Sequence, residues 1–412
     1  MERKQVPVNE LQFGMYVAEL DRPWTETPFM YQGFHLDSDE QLATLKKLCK
    51  HVFVDPERTA VPEKRPPFLA TRGPFPAAPA ATASFQIRGT TRYPQTAPVE
   101  AEFNEAHAVY SRSVTQVGEL LRPMSKPGGV LDVKEVKDSV TRLTDSVVRN
   151  PDALLLVTRL REKSQQAHAR ALQVSIYMIV FARFLELERE ELELLGLLGL
   201  LQDVGKTRLP ASLLEKRGPL TPEETALARK HVEFSAEILG ETPAIPPRLP
   251  ALALLHHERQ DGSGYPKGLK GDEIGLYGSM AGIADSFDAL TAVRPYAEPL
   301  SPSSALSYLY KERGAGFHAD LVEQFIQCVG VFPVGSVVEL NSGETGIVIT
   351  QNLVRRLKPR VMVVLDAQGH PIRPHRILDL DKDPKVRPDE PYKIKRTLEQ
   401  TKLQVDPKEF FA

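Results

Sequence analysis

Two adjacent histidines that end an apolar segment are the residues of this chain best suited to chemistry. His256 and His257 follow a leucine-rich stretch, and the loop from Glu258 to Pro266 contains two glycines, a serine and a proline. Neutral imidazole nitrogens at a helix end can bind one metal ion or two neighbouring ones. Because glycine permits a sharp turn and a close backbone approach, the loop can lie beside a ligand. Alone, such a histidine pair is more often structural than metal-binding.

Four further residues with ligand side chains lie on apolar backgrounds elsewhere in the chain. They are His168, Asp203, His231 and Asp285. A carboxylate at the end of a buried helix needs a cation or several hydrogen-bond donors, because burying it unpaired is costly. Histidines and aspartates on separate apolar helices therefore indicate a hydrolytic metal centre inside a helical bundle.

In this order the residues resemble the HD-GYP family, the cyclic di-GMP phosphodiesterase branch of the HD metal-hydrolase superfamily. The resemblance covers residues 150 to 330, and the run from His256 to Pro266 is its most specific part. It rests on His168, Gln202-Asp203, Gly205-Lys206, His231, His256-His257, Asp261 to Pro266, and Asp285. The first segment, with Gly14 to Val17 and Asp21 to Trp24, is similar to the small N-terminal domain that precedes some HD-GYP domains in bacteria.

The resemblance implies a centre that cleaves the phosphodiester bonds of cyclic di-GMP with one or two transition-metal ions per chain, iron or manganese. Two metal ions can bridge a hydroxide and clamp a phosphate. The implied roles are Asp203 shared by both ions, His231, His256 and His257 on one ion, His168 and Asp285 on the other, Lys206 as a fixed cation or proton donor beside the hydroxide or phosphate, and Gly264, Tyr265, Pro266 and Arg294 beside the substrate.

The chain also departs from the family pattern. Gln202 stands where the family has histidine, and a glutamine carbonyl is a weaker ligand for a transition metal. By the implied roles, the weaker ligand at position 202 affects the metal ion that His168 and Asp285 would bind. Ser164, in place of a glutamate, argues against a third metal, and Val293 and Ala297 depart from the family sequence after Asp288.

Three functions remain open at this point. The first is a metal-dependent cyclic di-GMP phosphodiesterase that tolerates Gln202, favoured by the intact histidine pair and loop. The second is a catalytically degenerate relative that acts as a nucleotide receptor or protein-interaction scaffold, favoured by Gln202, Val293 and Ala297. The third is a metal hydrolase of another nucleotide. Structural alternatives also remain for single residues: His168 as a core histidine, His231 as a surface residue, and Lys206 as a charge at a helix end.

Composition narrows the class of protein. The net charge of −2 over 412 residues argues against nucleic-acid binding. Two cysteines, Cys49 and Cys328, cannot make a disulfide framework and fit a reducing compartment. The chain has neither an apolar run of membrane-spanning length nor an apolar signal region after Met1. We therefore expect a cytoplasmic bacterial signalling protein that does not bind a membrane.

Periodicity predicts a mainly α fold, with an HD-type helical bundle, a small N-terminal α/β module and a small C-terminal β module. The predicted segments are 1–59, an α/β regulatory module; 60–99, a linker rich in proline and alanine; 100–150, a helical extension; 151–330, the metal-hydrolase domain; 331–385, the β module; and 386–412, a tail. A signalling partner could contact the 261–266 loop or the N-terminal module. The helices of 100–150 could form an extra layer or a dimerising coil, so a homodimer is also expected.

Overall fold

The computed structural model describes residues 4–21, 34–36, 39–55, 85–121, 131–160, 167–216, 218–292, 299–398 and 411. The chain divides into two units, Met1–Ala78 and Pro79–Ala412. Among the described residues, no helix combines the length and apolar character needed to cross a lipid bilayer.

The first unit is a small sheet covered by one helix. Its elements are β1 (Lys4–Pro7), β2 (Tyr16–Leu20), β3 (Phe34–His35), α1 (Asp39–Leu48) and β4 (His51–Asp55). The strands pair antiparallel in the order β1-β4-β2-β3. Val52 and Val54 alternate with half-buried residues along β4 and pack with Val17 and Leu45. The α/β character predicted for this module is confirmed.

Helices dominate the second unit, as predicted. They are α2 (Val99–Leu121), α3 (Val133–Arg149), α4 (Pro151–Leu160), α5 (Ala167–Phe184), α6 (Arg189–Leu201), α7 (Ala211–Leu214), α8 (Pro222–Arg229), α9 (His231–Glu241), α10 (Leu249–Ala253), α11 (Gly275–Thr291), α12 (Pro302–Lys311) and α13 (Ala319–Val329). The rings of Phe181, Phe287 and Phe325 meet edge to face where α5, α11 and α13 join. This core holds α5 and α11 side by side.

Two glycines of α6 set its distance from neighbouring helices, as the sequence indicates. A Cβ at Gly199 would lie 2.8 Å from the Cα of Ser175 on α5, and a Cβ at Gly196 would lie 2.7 Å from a methyl group of Val140 on α3. The hydroxyl of Ser175 donates to the carbonyl of Gly196. Larger residues would push α5 and α6 apart.

A capping box and a proline mark the start of α8. Thr221 accepts a hydrogen bond from the Glu224 N–H, the Glu224 carboxylate accepts one from the Thr221 N–H, and Pro222 opens α8. This capping box fixes the start of the helix pair α8–α9.

Part of the predicted linker packs on the bundle. The N–H groups of Gly89 and Thr91 donate to the carbonyls of Leu185 and Glu186, just beyond the end of α5, and the Tyr93 hydroxyl donates to the carbonyl of Leu187. A helix end leaves carbonyls without partners, and an extended chain has free N–H groups to offer. The prediction of a linker over 60–99 is therefore wrong for residues 85–98, and residues 60–84 lie outside the described ranges.

The C-terminal β module extends further than predicted. Its strands are β5 (Val337–Leu340), β6 (Thr345–Thr350), β7 (Arg360–Leu365), β8 (Pro371–Asp379), β9 (Lys385–Arg387), β10 (Glu390–Pro391) and β11 (Ile394–Thr397). Five of them form an antiparallel sheet in the order β11-β5-β6-β7-β8. Because β11 pairs with β5, residues 394–397 belong to the sheet, and the predicted tail over 386–412 is wrong for them.

Candidate metal centre

Asp203 lies two residues beyond the end of α6, whose second half is wholly apolar. It follows α6 and begins a 3-10 turn, Val204–Arg208. Gly205 lets this turn lie against α9, because a Cβ there would be 2.1 Å from the carbonyl oxygen of His231. The hydroxyl of Ser235 accepts the N–H of Gly205 at 2.8 Å. The turn thus holds Asp203 beside the first residue of α9.

Two buried histidines turn the same ring nitrogen toward Asp203. In His231 the Nδ1 atom lies 2.7 Å from the carbonyl of Ala228, and in His256 it lies 2.9 Å from the carbonyl of Ala253. A carbonyl accepts only from a protonated nitrogen, so each Nε2 is left with a free lone pair. These Nε2 atoms lie 3.2 Å and 3.6 Å from Oδ1 of Asp203.

His257 completes the group and connects it to the loop. Its imidazole stacks on the ring of Tyr265, with 4.7 Å between centroids, and contacts His256 at 4.1 Å. Burial, together with the neighbouring His256, lowers the pKa of His257 well below its usual range, so this imidazole is neutral at physiological pH.

The four side chains fit a divalent metal ion. One ligand atom each of Asp203, His231, His256 and His257 lies within 4.8 Å of the other three. Oδ1 of Asp203 and Nε2 of His231 and His256 are buried and have no hydrogen-bond partner among the residues that the structure describes. Converging buried lone pairs without donors are costly unless a cation binds them. Imidazole and carboxylate ligands suit a transition metal.

Lys206 forms an ion pair with the central carboxylate. Its Nζ lies 2.6 Å from Oδ2 of Asp203, the oxygen that faces away from the histidines. Burial works to raise the pKa of Asp203, but the Lys206 ammonium at 2.6 Å holds it well below its usual range. Asp203 therefore remains an anion throughout the neutral range.

The loop after the histidines is held by a residue that the sequence analysis did not single out. Glu258 is 4% exposed, and its carboxylate accepts the N–H groups of Lys267 and Leu269 at 2.8 and 3.0 Å. A Cβ at Gly264 would lie 2.5 Å from the Cα of Glu258, so the loop folds back closely on its own backbone. An acidic residue directly before a glycine-rich loop was the available signal.

Tyr265 and Gly264 lie beside the histidines, since a Cβ at Gly264 would lie 2.5 Å from the carbonyl oxygen of His257, and Pro266 follows them in the loop. Tyr265 stacks on His257, and the guanidinium of Arg229 covers its ring at 4.8 Å. Burial raises the pKa of the Tyr265 phenol, so it is a neutral hydrogen-bond donor at physiological pH. The structure therefore brings the predicted loop residues beside the metal-ligand group. Arg294, the other residue predicted to contact substrate, lies outside the described residues.

The structure does not bring His168 into the group. A Cβ at Gly118 on α2 would lie 3.2 Å from its Nε2, so the imidazole faces α2. Two residues later, Arg170 faces the other way and donates from Nε to the carboxylate of Asp288 at 3.0 Å. Residues two apart on a helix point about 200° apart, which explains why only one of them can face the centre.

Asp285 lies on α11, one turn before Asp288, outside the four-residue group. It is 9% exposed and makes no hydrogen bond or ion pair with a described residue. Burial works to lower the pKa of Arg170 and of Arg259, and the charge of Asp285 opposes it at both. The net result is a raised pKa for Arg170 and a lowered pKa for Arg259. Gln202 is 1% exposed, and both atoms of its amide are without a partner in the described part of the chain.

Three family models match the chain. A model described as an HD domain matches residues 155–321, a domain of unknown function (DUF3391) matches residues 3–136, and a KOW domain associated with the HD domain matches residues 337–395. The HD-domain match contains all four residues of the metal-ligand group.

Curated relatives span most of the chain or its central part. A cyclic di-GMP phosphodiesterase of Pseudomonas aeruginosa is 33% identical over 92% of this chain and 89% of its own length. A 3′3′-cGAMP-specific phosphodiesterase of Vibrio cholerae is 35% identical over 42% of this chain and 33% of its own. The cyclic di-GMP phosphodiesterase response regulator RpfG of Xanthomonas campestris is 40% identical over 35% of this chain and 39% of its own.

Proposed function

Since the chain belongs to the HD-GYP family of HD-domain proteins, we propose that it is a metal-dependent phosphodiesterase that hydrolyses cyclic di-GMP. The observation that carries this proposal is the group formed by Asp203, His231, His256 and His257, whose ligand atoms converge in a buried site. The P. aeruginosa relative, which the chain matches over nearly its whole length, supplies the substrate.

Hydrolysis adds the oxygen of water to phosphorus and breaks the bond from phosphorus to a ribose oxygen, which gains a proton. A divalent metal ion bound by the four ligands would lower the pKa of water and neutralise phosphate charge. Lys206, about one third exposed, would hold the ionised Asp203 in place and offer an N–H to the phosphate or the leaving oxygen.

The loop would position the nucleotide. Glu258 fixes the backbone of 267–269, which leaves Gly264, Tyr265 and Pro266 at the edge of the site. The neutral Tyr265 phenol can donate to a phosphate oxygen, while Arg229 on its ring adds positive charge. Arg294 remains a proposed phosphate contact on the strength of the family resemblance alone.

The metal ion is proposed to be iron or manganese, and the protein is proposed to work in the cytoplasm. A signalling partner would bind the 261–266 loop or the N-terminal module, and the helices α2 and α3 would be a dimer contact. Elemental analysis of purified protein tests the metal, and the oligomeric state in solution tests the dimer.

The direct test is cyclic di-GMP hydrolysis by the full chain loaded with Mn²⁺ or Fe²⁺. We expect the wild type to hydrolyse cyclic di-GMP and His256→Ala to be at least about a hundredfold less active. Mutating a residue that only supports a metal ligand lowers activity about tenfold to a hundredfold, and His256→Ala removes the ligand itself. His370→Ala is the matched control, because that histidine is 76% exposed and pairs with Asp366 in the β module. A metal-loaded wild type that leaves cyclic di-GMP intact would contradict the proposal.

A second candidate is a receptor that binds the nucleotide without cleaving it. The buried Gln202, whose amide lacks partners among described residues, and the guanidinium of Arg170 beside Asp288 favour this candidate. If the protein is a receptor, it should bind cyclic di-GMP at equilibrium, and no hydrolysis product should form. The same assay with 3′3′-cGAMP decides whether the chain prefers the substrate named for the V. cholerae relative.

A further inference from the structure

Arg170 is a positive charge beside the buried carboxylates of α11. It lies on α5, and its Nε donates to the carboxylate of Asp288 on α11 at 3.0 Å. Asp288 is 1% exposed, so it needs this partner. The helix that carries Asp288 also approaches the histidines, because a Cβ at Gly282 on α11 would lie 3.1 Å from the carbonyl oxygen of His256. Burial works to lower the pKa of Arg170, and the charges of Asp288, Asp285 and Asp203 raise it.

The buried carboxylate of Asp285, on the same helix as Asp288, also requires a nearby cation. It is nine-tenths buried and has neither a hydrogen bond nor an ion pair within the described part of the chain. Asp285 and Asp288 are three residues apart and share one face of α11. Arg259, whose pKa the charge of Asp285 also affects, is used by the loop, because its Nη1 donates to the carbonyls of His256 and Glu258.

The guanidinium of Arg170 has N–H groups that make no hydrogen bond to a described residue. It has five N–H groups in one plane, and only Nε donates to a described residue. One third of the side chain is exposed. A planar guanidinium held on one edge by a carboxylate can bind a phosphate oxygen with its remaining N–H groups.

We infer that Arg170 is the second cation of the centre, in place of a second metal ion, and that it contacts a non-bridging phosphate oxygen of the substrate. The inference rests on the proposed function for the identity of the substrate. The other candidate ligands agree with it: His168 faces α2, Gln202 is neutral, and the carboxylates of Asp285 and Asp288 are balanced by Arg170. The centre therefore binds one metal ion.

The first arm of the test counts metal ions and needs no substrate. Full-length protein is dialysed against Mn²⁺ and then against metal-free buffer, and bound metal is measured by elemental analysis. We expect close to one ion in the wild type. We expect a second ion in Arg170→His/Gln202→His, where two imidazoles replace the cation and the amide beside Asp285. Two ions in the wild type would overturn the inference.

The second arm measures binding of a cleavage-resistant phosphorothioate analogue of cyclic di-GMP. Because Arg170→Gln alone would leave Asp288 buried and unpaired, the variant is Arg170→Gln/Asp288→Asn. We expect it to keep its metal ion and to bind the analogue about tenfold to a hundredfold more weakly, which is the range for a charge-assisted hydrogen bond. Arg189→Gln is the control, since Arg189 also pairs with an aspartate, Asp145, but at the start of α6.

The outcomes separate the two proposals. Wild-type affinity in the Arg170→Gln/Asp288→Asn variant would overturn the phosphate contact and leave the phosphodiesterase proposal standing. A wild type that holds one metal ion and binds no analogue would overturn both the proposed substrate and the phosphate contact. In that case the metal count still decides whether Arg170 is the second cation.

Discussion

The two sides of the centre neutralise their carboxylates in different ways. On the histidine side, Asp203 faces imidazoles whose Nε2 atoms have no partner among the described residues, so a cation must come from solution. On the arginine side, Arg170 supplies positive charge from α5. The comparison shows that the number of bound metal ions depends on which carboxylates already have a cation from the protein.

The pKa shifts of the two buried aspartates follow this difference. Burial works to raise the pKa of Asp203, and the ion pair with Lys206 outweighs it and lowers the pKa. The pKa of Asp288 is raised, because burial and the nearby Asp285 outweigh the attraction of Arg170. The guanidinium of Arg170, shared among several carboxylates, therefore stabilises the ionised form of each one less than the Lys206 ammonium stabilises ionised Asp203.

The largest effect that separates the two sides is the response of stability to a chelator. Wild-type protein in free metal at about a thousand times Kd should be about 4 kcal/mol more stable than the same protein in EDTA. We expect this difference to appear as a fall of several degrees in Tm when EDTA is added. The Arg170→Gln/Asp288→Asn variant should lose as much, because its ligand set is intact, and His256→Ala should lose nothing. Equal Tm values of the wild type with and without EDTA would contradict the assignment of the histidine side.

A third buried aspartate, which forms no ion pair with another described residue, sharpens the comparison. The Asp152 carboxylate on α4 accepts the backbone N–H of Gln351. Burial raises its pKa to about 7 against this hydrogen bond and the charge of Arg183. The folded protein therefore binds a proton that the unfolded chain has released, and stability falls as pH rises from about 4 to 7. Asp152→Asn should be more stable than the wild type in urea at pH 8, by up to about 4 kcal/mol. The two proteins should be nearly equal at pH 4, and a constant difference at both pH values would exclude this account.

The smallest expected effect is that of Gln202→His alone. With Arg170 still beside Asp285 and Asp288, one added imidazole should leave bound metal close to one ion per chain. The comparison protein is Arg170→His/Gln202→His, measured by the same elemental analysis. A full second ion in the single variant would show that Arg170 does not exclude it.

Local signals in the sequence predicted most of the histidine side. The pair His256-His257 and its glycine-rich loop are contiguous, and Asp203 ends an uninterrupted apolar helix. Such features depend on neighbours in the chain, so they can be read from the sequence. The mainly α fold and the capping box at Thr221 follow from local periodicity and spacing in the same way.

The arginine side could not be predicted, because it depends on how one helix is rotated against another. His168 and Arg170 share the same alanine-rich background, and the packing of α5 on α11 decides which of them faces Asp288. The boundary errors have a similar origin. The pairing of β11 with β5 and the contact of Gly89 with Leu185 join segments more than fifty residues apart.

The contact between Gly205 and α9 makes one position intolerant of any side chain. A methyl group there would start 2.1 Å from the carbonyl oxygen of His231, and the backbone N–H of Ser235 lies at 2.4 Å. Both are main-chain atoms of α9, so the steric clash could be removed only by moving the whole helix. That movement would carry the imidazole of His231 away from Asp203. Gly205→Ala should therefore separate His231 from Asp203 and disrupt the metal-ligand group, although it changes none of the four ligands.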